Sequence, residues 1–215
     1  QQKIIDCHHH LWDFNLNIHN WLKENQNIKF HRSYLVNDLT QDIGDLKIIK
    51  TVHVQAEINR NYSLYETEWL QNISNSRNDK FPNAIMAYID LSMPDIESII
   101  VKHKEFKNFR GFRQILRLNE NEKDLSKSNK NYLKNESWIQ NMSYLQKYDL
   151  IFELLCYYNQ YEDAAKIINK YQYIKFIINH TLWPEGINKS NFEIWQKGID
   201  KLSSFPNTYI KFSAF

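Results

Sequence analysis

The sequence predicts an α/β fold of the (β/α)8-barrel type, and three observations carry that prediction. Seven short apolar segments recur along the 215 residues, alternating with segments of helical period. No glycine-rich phosphate loop follows the first of them, which argues against an open nucleotide-binding sheet. Polar residues mark the ends of the apolar segments: His8, His10, Gln55, Asp90, Arg113, Glu153 and His180. In a barrel the C-terminal ends of the strands are where an active site is built.

Taken in order, the predicted strands are KIIDCH from Lys3, IIKTVHVQAE from Ile48, NAIMAYIDL from Asn83, FRGFRQIL from Phe109, LIFELLCY from Leu150, YIKFIINH from Tyr173 and TYIKFSAF from Thr208. The helical segments between them include SLYETEWLQNIS, with Leu64, Trp69, Leu70 and Ile73 as its apolar positions. Pro94 is expected in the first turn of DIESIIVKHKEF. SWIQNMSYLQKY, QYEDAAKIINKY and FEIWQKGIDKLSSF follow, with Ser137 and Ser190 in N-cap regions. Strand then helix, repeated, means parallel strands joined by crossover helices. Trp12 to Lys47 reads as one long, irregular first connection, and NENEKDLSKSNKN from Asn119 as a solvated loop. Residues 1–215 are expected to form a single domain.

Composition removes several classes of function. The net charge is +2 and the Lys residues are scattered, so nothing suggests a nucleic-acid partner. No run of ~18 apolar residues suggests a membrane span, and there is no signal-peptide pattern. Cys7 and Cys156 make no disulfide framework, so a reducing, cytoplasmic setting is expected. Cys7 is expected in the core. The oligomeric state is not readable.

The HHH run invites a metal. Alternate residues of a strand share a face, so His8 and His10 point together and His9 points the other way, into the wall or toward the helices. Two imidazoles so placed can bind one divalent cation at about 2.0–2.1 Å per nitrogen. His180 ends the sixth predicted strand, and a barrel can bring all three to one mouth.

IIDCHHHLWDF resembles the opening of the amidohydrolase superfamily, whose first strand reads roughly I-D-x-H-x-H-x-W. More narrowly it is similar to the sugar-acid lactonase branch, near pyrone-dicarboxylate lactonases and related decarboxylases. VHVQAE, AYIDL, GFRQIL, FELLCYYNQ, INHTLWPE and YIKFSAF resemble successive segments of that branch. The resemblance implies that His8 and His10 are metal ligands and His180 a ligand or polar contact. It implies that Arg113 binds a substrate carboxylate or oxygen and that Gln55 and Gln160 line the mouth. The residues alone allow Arg113 an ion pair and the two glutamines structural hydrogen bonds. Glu153 reads as a ligand, a pocket acid or the buried partner of a Lys or Arg, and is taken as substrate-binding. Trp12 and Trp183 read as pocket wall or core.

There are departures. Asn179 stands where the branch has Asp, Thr181-Leu182-Trp183 replaces a Gly-containing link, and Ala214 replaces a Gly. The fifth strand lacks the histidine of binuclear members, which implies one divalent ion, Zn²⁺ before Mn²⁺, and some relatives work without a tightly bound one. The resemblance places the catalytic general base in an Asp of an eighth strand, so the base is expected beyond Phe215 and the chain is expected to be truncated. The expected function is metal-dependent hydrolysis of a small carbohydrate-derived or carboxylated lactone, with little or no turnover from these residues alone. The alternatives are a decarboxylase of the same superfamily and an inactive remnant or binding protein. A deoxyribonuclease ranks below them, because GFRQIL stands where that group carries a Glu.

Overall fold

The computed structural model describes residues 2–25, 27–118, 130–182 and 189–212. Seven strands alternate with helices in the manner of the (β/α)8 class. They are β1 (Ile4–His9), β2 (Ile48–Val54), β3 (Ala84–Tyr88), β4 (Phe109–Ile115), β5 (Ile151–Leu155), β6 (Phe176–Ile178) and β7 (Thr208–Ile210). The helices are α1 (Asn20–Glu24), α2 (Val36–Ile43), α3 (Ser63–Ser76), α4 (Ile96–Lys104), α5 (Glu136–Lys147), α6 (Tyr161–Lys170) and α7 (Lys189–Ser203). The chain divides into two compact units, Gln1–Ile89 with Ser98–Arg110, and Asp90–Glu97 with Gly111–Phe215.

In the first unit β1, β2 and β3 pair in parallel. The Ile85 N–H donates to the Asn108 carbonyl at 2.8 Å, which brings the approach to β4 beside β3. The core gathers Leu11, Val36, Leu39, Leu70, Phe81 and Ile85, with Trp69 and Ile73 of α3 packed against it. Asn108 is buried and fully engaged: its N–H donates to Gln71 Oε1, and its Nδ2 to Ser74 Oγ and the Pro82 carbonyl, each at 2.8 Å. Buried polar groups are tolerated on such terms.

In the second unit β4 to β7 pair in parallel and in chain order. Trp138 of α5, Phe152 of β5 and Phe176 of β6 stack edge to face, with centroids 5.7 and 6.3 Å apart, and all three are fully buried. This arrangement suits the ring quadrupoles and fills the space between helix and sheet.

Four local expectations are corrected. The long first connection is not wholly irregular: α2 forms there because Val36, Leu39 and Ile43 make an apolar stripe, and Asp38 Oδ2 accepts from the Leu35 N–H at 2.8 Å. Two turns are too few for periodicity to stand out. Pro94 lies outside α4, which starts at Ile96 after Asp95 takes a φ of +54°. The N-cap of α5 is Asn135, whose side chain accepts from the Trp138 N–H at 2.9 Å, and Ser137 is inside the helix. Cys7 is exposed rather than core, because on β1 the face shared by Ile5 and Cys7 is open while Asp6 and His8 are half-buried. Most of the polar segment from Asn119, together with Trp183, Ala214 and the Ser190 side chain, lies outside the described residues.

Gly111 shows how tightly β4 meets β5. A Cβ at that position would stand 2.0 Å from the Ile151 carbonyl oxygen, which belongs to the backbone and cannot step aside. Gly111→Ala is expected to destabilise the protein by about 3 kcal/mol or more, read as a lower urea midpoint. Gly44→Ala has no neighbour within 4 Å and meets only the strain of φ +54°, so it should cost about 1 kcal/mol.

Candidate functional site

In the first unit, strand alternation brings His8 and His10 together. Their ε nitrogens are 3.3 Å apart and the rings meet edge to face. His10 Nδ1 lies 2.7 Å from the Val54 carbonyl. A carbonyl can only accept, so Nδ1 carries the proton and Nε2 is the lone-pair nitrogen. His9, which shares its parity with the exposed Ile5 and Cys7, is itself buried beyond the register shift, with its ring edge-on to His53 at 5.7 Å. Gln55 is buried just past β2, and its Oε1 accepts from the Glu57 N–H at 2.6 Å. Trp12 is half-buried and stacks on Tyr34, with its indole N–H donating to the Arg32 carbonyl at 2.7 Å.

The geometry of the pair suits a divalent cation. Two ligands of a tetrahedral ion bound at about 2.0–2.1 Å stand roughly 3.3 Å apart, which matches the separation of the two ε nitrogens. Among the described residues no group of three or more His, Cys, Asp or Glu is gathered as a metal cluster. The pair alone offers two nitrogens, fewer than the four ligands of a tetrahedral site.

Sequence reasoning missed a second polar group in this unit. Glu66 of α3 is fully buried, with His19 Nε2 at 3.5 Å and His53 Nε2 at 3.6 Å from its Oε1. Burial pushes its carboxyl up, but the imidazoles of His19 and His53 outweigh that and hold its pKa down, to about 2. The helix was legible only through its apolar positions, and the partners of Glu66 come from other segments. The polar heads of strand-end His53 and loop His19 were the available signal.

In the second unit the register lines up Arg113, Glu153 and Lys211. Arg113 pairs with Glu153, Glu153 with Ile177, and Ile177 with Tyr209. Asn179 and Lys211 lie two residues further along and so share a face with those partners. Glu153 is buried; its Oε1 accepts from Lys211 Nζ at 2.6 Å and its Oε2 from Asn179 Nδ2 at 2.9 Å. The alternative of a buried partner for a Lys thus describes its contacts. Arg113 and Arg117 are also buried, and Arg117 lies over the Tyr157 ring at 5.8 Å. Gln160 uses its amide on backbone: Oε1 accepts from Tyr157 N–H at 2.9 Å, and Nε2 donates to the Leu116 carbonyl at 2.9 Å. It is a staple for the chain leaving β4 and β5.

His180 follows β6. It and the next two residues, Thr181 and Leu182, have φ of +50°, +50° and +64°. Left-handed backbone in residues with a Cβ costs on the order of 1–2 kcal/mol each, and such strain gathers at functional sites. Burial lowers the His180 pKa, and the charges of Arg113, Lys211 and Arg117 lower it further, to about 4. His180 therefore stands in a field of positive sign. Arg117 and Lys211 were not singled out from the sequence, although the parity of Arg113, Ile115 and Arg117 on one strand face was visible there.

His180 is expected to stay uncharged from pH 7 down to about pH 4 in an NMR titration of its ring protons. Arg113→Met should move that midpoint upward, since removing a neighbouring positive charge favours the imidazolium.

The similarity to known proteins follows the same lines. An uncharacterized protein, y4mH, of Sinorhizobium fredii is 28% identical over 218 residues, covering 98% of this chain and 72% of that protein. An amidohydrolase from Burkholderia multivorans with bound zinc superposes with a TM-score of 0.78 at 18% identity, over 99% of this chain and 70% of that one. A probable 2-pyrone-4,6-dicarboxylic acid hydrolase from Acinetobacter baumannii, with citric acid bound, gives 0.71 at 14% identity, over 98% and 70%. An uncharacterized TIM-barrel protein from Bordetella bronchiseptica gives 0.61 at 10% identity, over 99% and 75%. No described helix is long and apolar enough to cross a membrane. The amidohydrolase family profile matches residues 5–215, and the chain belongs to that family of hydrolases.

Proposed function

We propose that this amidohydrolase is a metal-dependent lactonase whose substrate is a small lactone carrying a carboxylate. The observation that carries the reading is the positive field at His180, made by the buried cations Arg113, Arg117 and Lys211. Such a field favours an anionic substrate and disfavours a neutral one. The hydrolase from Acinetobacter baumannii, with its dicarboxylic acid name and bound citric acid, supports the same choice.

His8 and His10 would hold the cation through their ε nitrogens, with His10 fixed by its bond to Val54. The zinc of the Burkholderia multivorans structure favours Zn²⁺. When bound, such an ion polarises a carbonyl and lowers the pKa of water. Arg113 offers a planar fork to a carboxylate, and Lys211 and Asn179 hold the Glu153 side chain in place. An uncharged His180 has a lone pair for a polar contact with substrate. The free thiols Cys7 and Cys156 fit a reducing, cytoplasmic setting.

Citrate serves as a probe of the anion site. Its affinity by isothermal titration calorimetry is expected to fall at least about tenfold in Arg113→Met, the loss of one charge-assisted contact. With Zn²⁺ supplied, the same calorimetry should show carboxylated lactones bound more tightly than uncharged ones. Equal citrate binding by both proteins, or a preference for uncharged lactones, would contradict the reading.

A further inference from the structure

β1 and β2 do not meet in an unbroken ladder. Their register shifts between Ile4 and Ile5 and again between Asp6 and His9. Ladder bonds alone therefore do not place the histidine stretch, and two hydrogen bonds to the end of β2, one to backbone and one to a side chain, take up that task. His10 Nδ1 donates to the Val54 carbonyl, and the next amide, Leu11 N–H, donates to His53 Nδ1 at 3.2 Å.

The second bond fixes a tautomer. A ring nitrogen that accepts from an amide carries no proton, so the His53 proton is on Nε2. That nitrogen faces Glu66 Oε1, 3.6 Å away. The opposite tautomer would set a ring N–H against the Leu11 N–H and a lone pair against a carboxylate. Both contacts are repulsive, and burial of every group involved leaves no water to relieve them. His19 Nε2 and the Ala56 N–H approach the same carboxylate oxygen, each at 3.5 Å, and hold it in place.

We propose that Glu66 is a positioning residue for the His8/His10 pair: it selects the His53 tautomer that holds the Leu11 amide and, with it, the end of β1. The proposal rests on the cation-binding reading of that pair. Glu66 itself touches neither cation nor substrate. Outer partners of this kind alter metal affinity because they orient the ligands.

The test compares Glu66→Gln, His53→Asn and the double variant in the full chain, with Glu66→Asp as the variant that keeps the charge. Calorimetry gives the Zn²⁺ affinity, and ¹⁵N NMR of the metal-free protein gives the His53 tautomer. Each single variant is expected to bind Zn²⁺ about 10–100-fold more weakly, with Glu66→Asp between Glu66→Gln and the unaltered chain. The double variant should be no worse than the weaker single one, because the two residues act in series. Glu66→Gln should also lose the exclusive Nε2–H form of His53. Folded variants that melt earlier yet bind Zn²⁺ as tightly as the unaltered chain would overturn the positioning role alone. An unaltered chain that binds no Zn²⁺ would overturn the cation reading, and the proposal with it.

Discussion

A buried carboxylate has to be compensated, and each unit of this protein buries at least one. Removing an ion from water costs several kcal/mol even after relaxation, and the cost is met only by well-placed partners. Glu66 meets it with two imidazoles and Glu153 with an ammonium and an amide. His53 lies at the end of β2, and Asn179 and Lys211 directly follow β6 and β7, while His19 comes from the long connection after β1. The residues that neutralise the two carboxylates are thereby held where the chemistry of this fold is built.

Parallel pairing does the placing. In the second unit each step from β4 to β7 carries the pattern across the sheet, and Arg113, Glu153, Asn179 and Lys211 share a face as a result. The close seat of Gly111 against Ile151 keeps β4 and β5 near enough for this. In the first unit the ladder slips at the histidines, and hydrogen bonds donated by His10 and Leu11 to Val54 and His53 replace it. The strained turn at His180 is tolerated in surroundings where Thr181 and Leu182 are buried and the Trp195 indole donates to the Thr181 carbonyl at 2.8 Å.

Much of the fold was legible because β-branched runs such as IIKTVHV have no competing helical period. The His8/His10 pair was legible because a strand repeats every two residues, a rule that needs no tertiary information. The same rule failed for Cys7, since parity names a face without saying whether that face is covered. α2 escaped because two turns carry too few apolar positions. Glu66, His19 and His53 escaped for a different reason: their partnership exists only when helix, loop and strand are packed, and a polar residue on an amphipathic helix looks like solvent-facing surface. Lys211 escaped likewise, as a lone Lys after a short strand whose partner lies on β5.

The central claim is that the ε nitrogens of His8 and His10 share one divalent cation. Zinc-edge X-ray absorption on the Zn²⁺-loaded protein tests it most directly. The account predicts at least two imidazole nitrogens at about 2.0–2.1 Å, with the imidazole signal reduced in His8→Ala and His10→Ala. A bound ion with no imidazole scattering, or a spectrum unchanged by both substitutions, would contradict it.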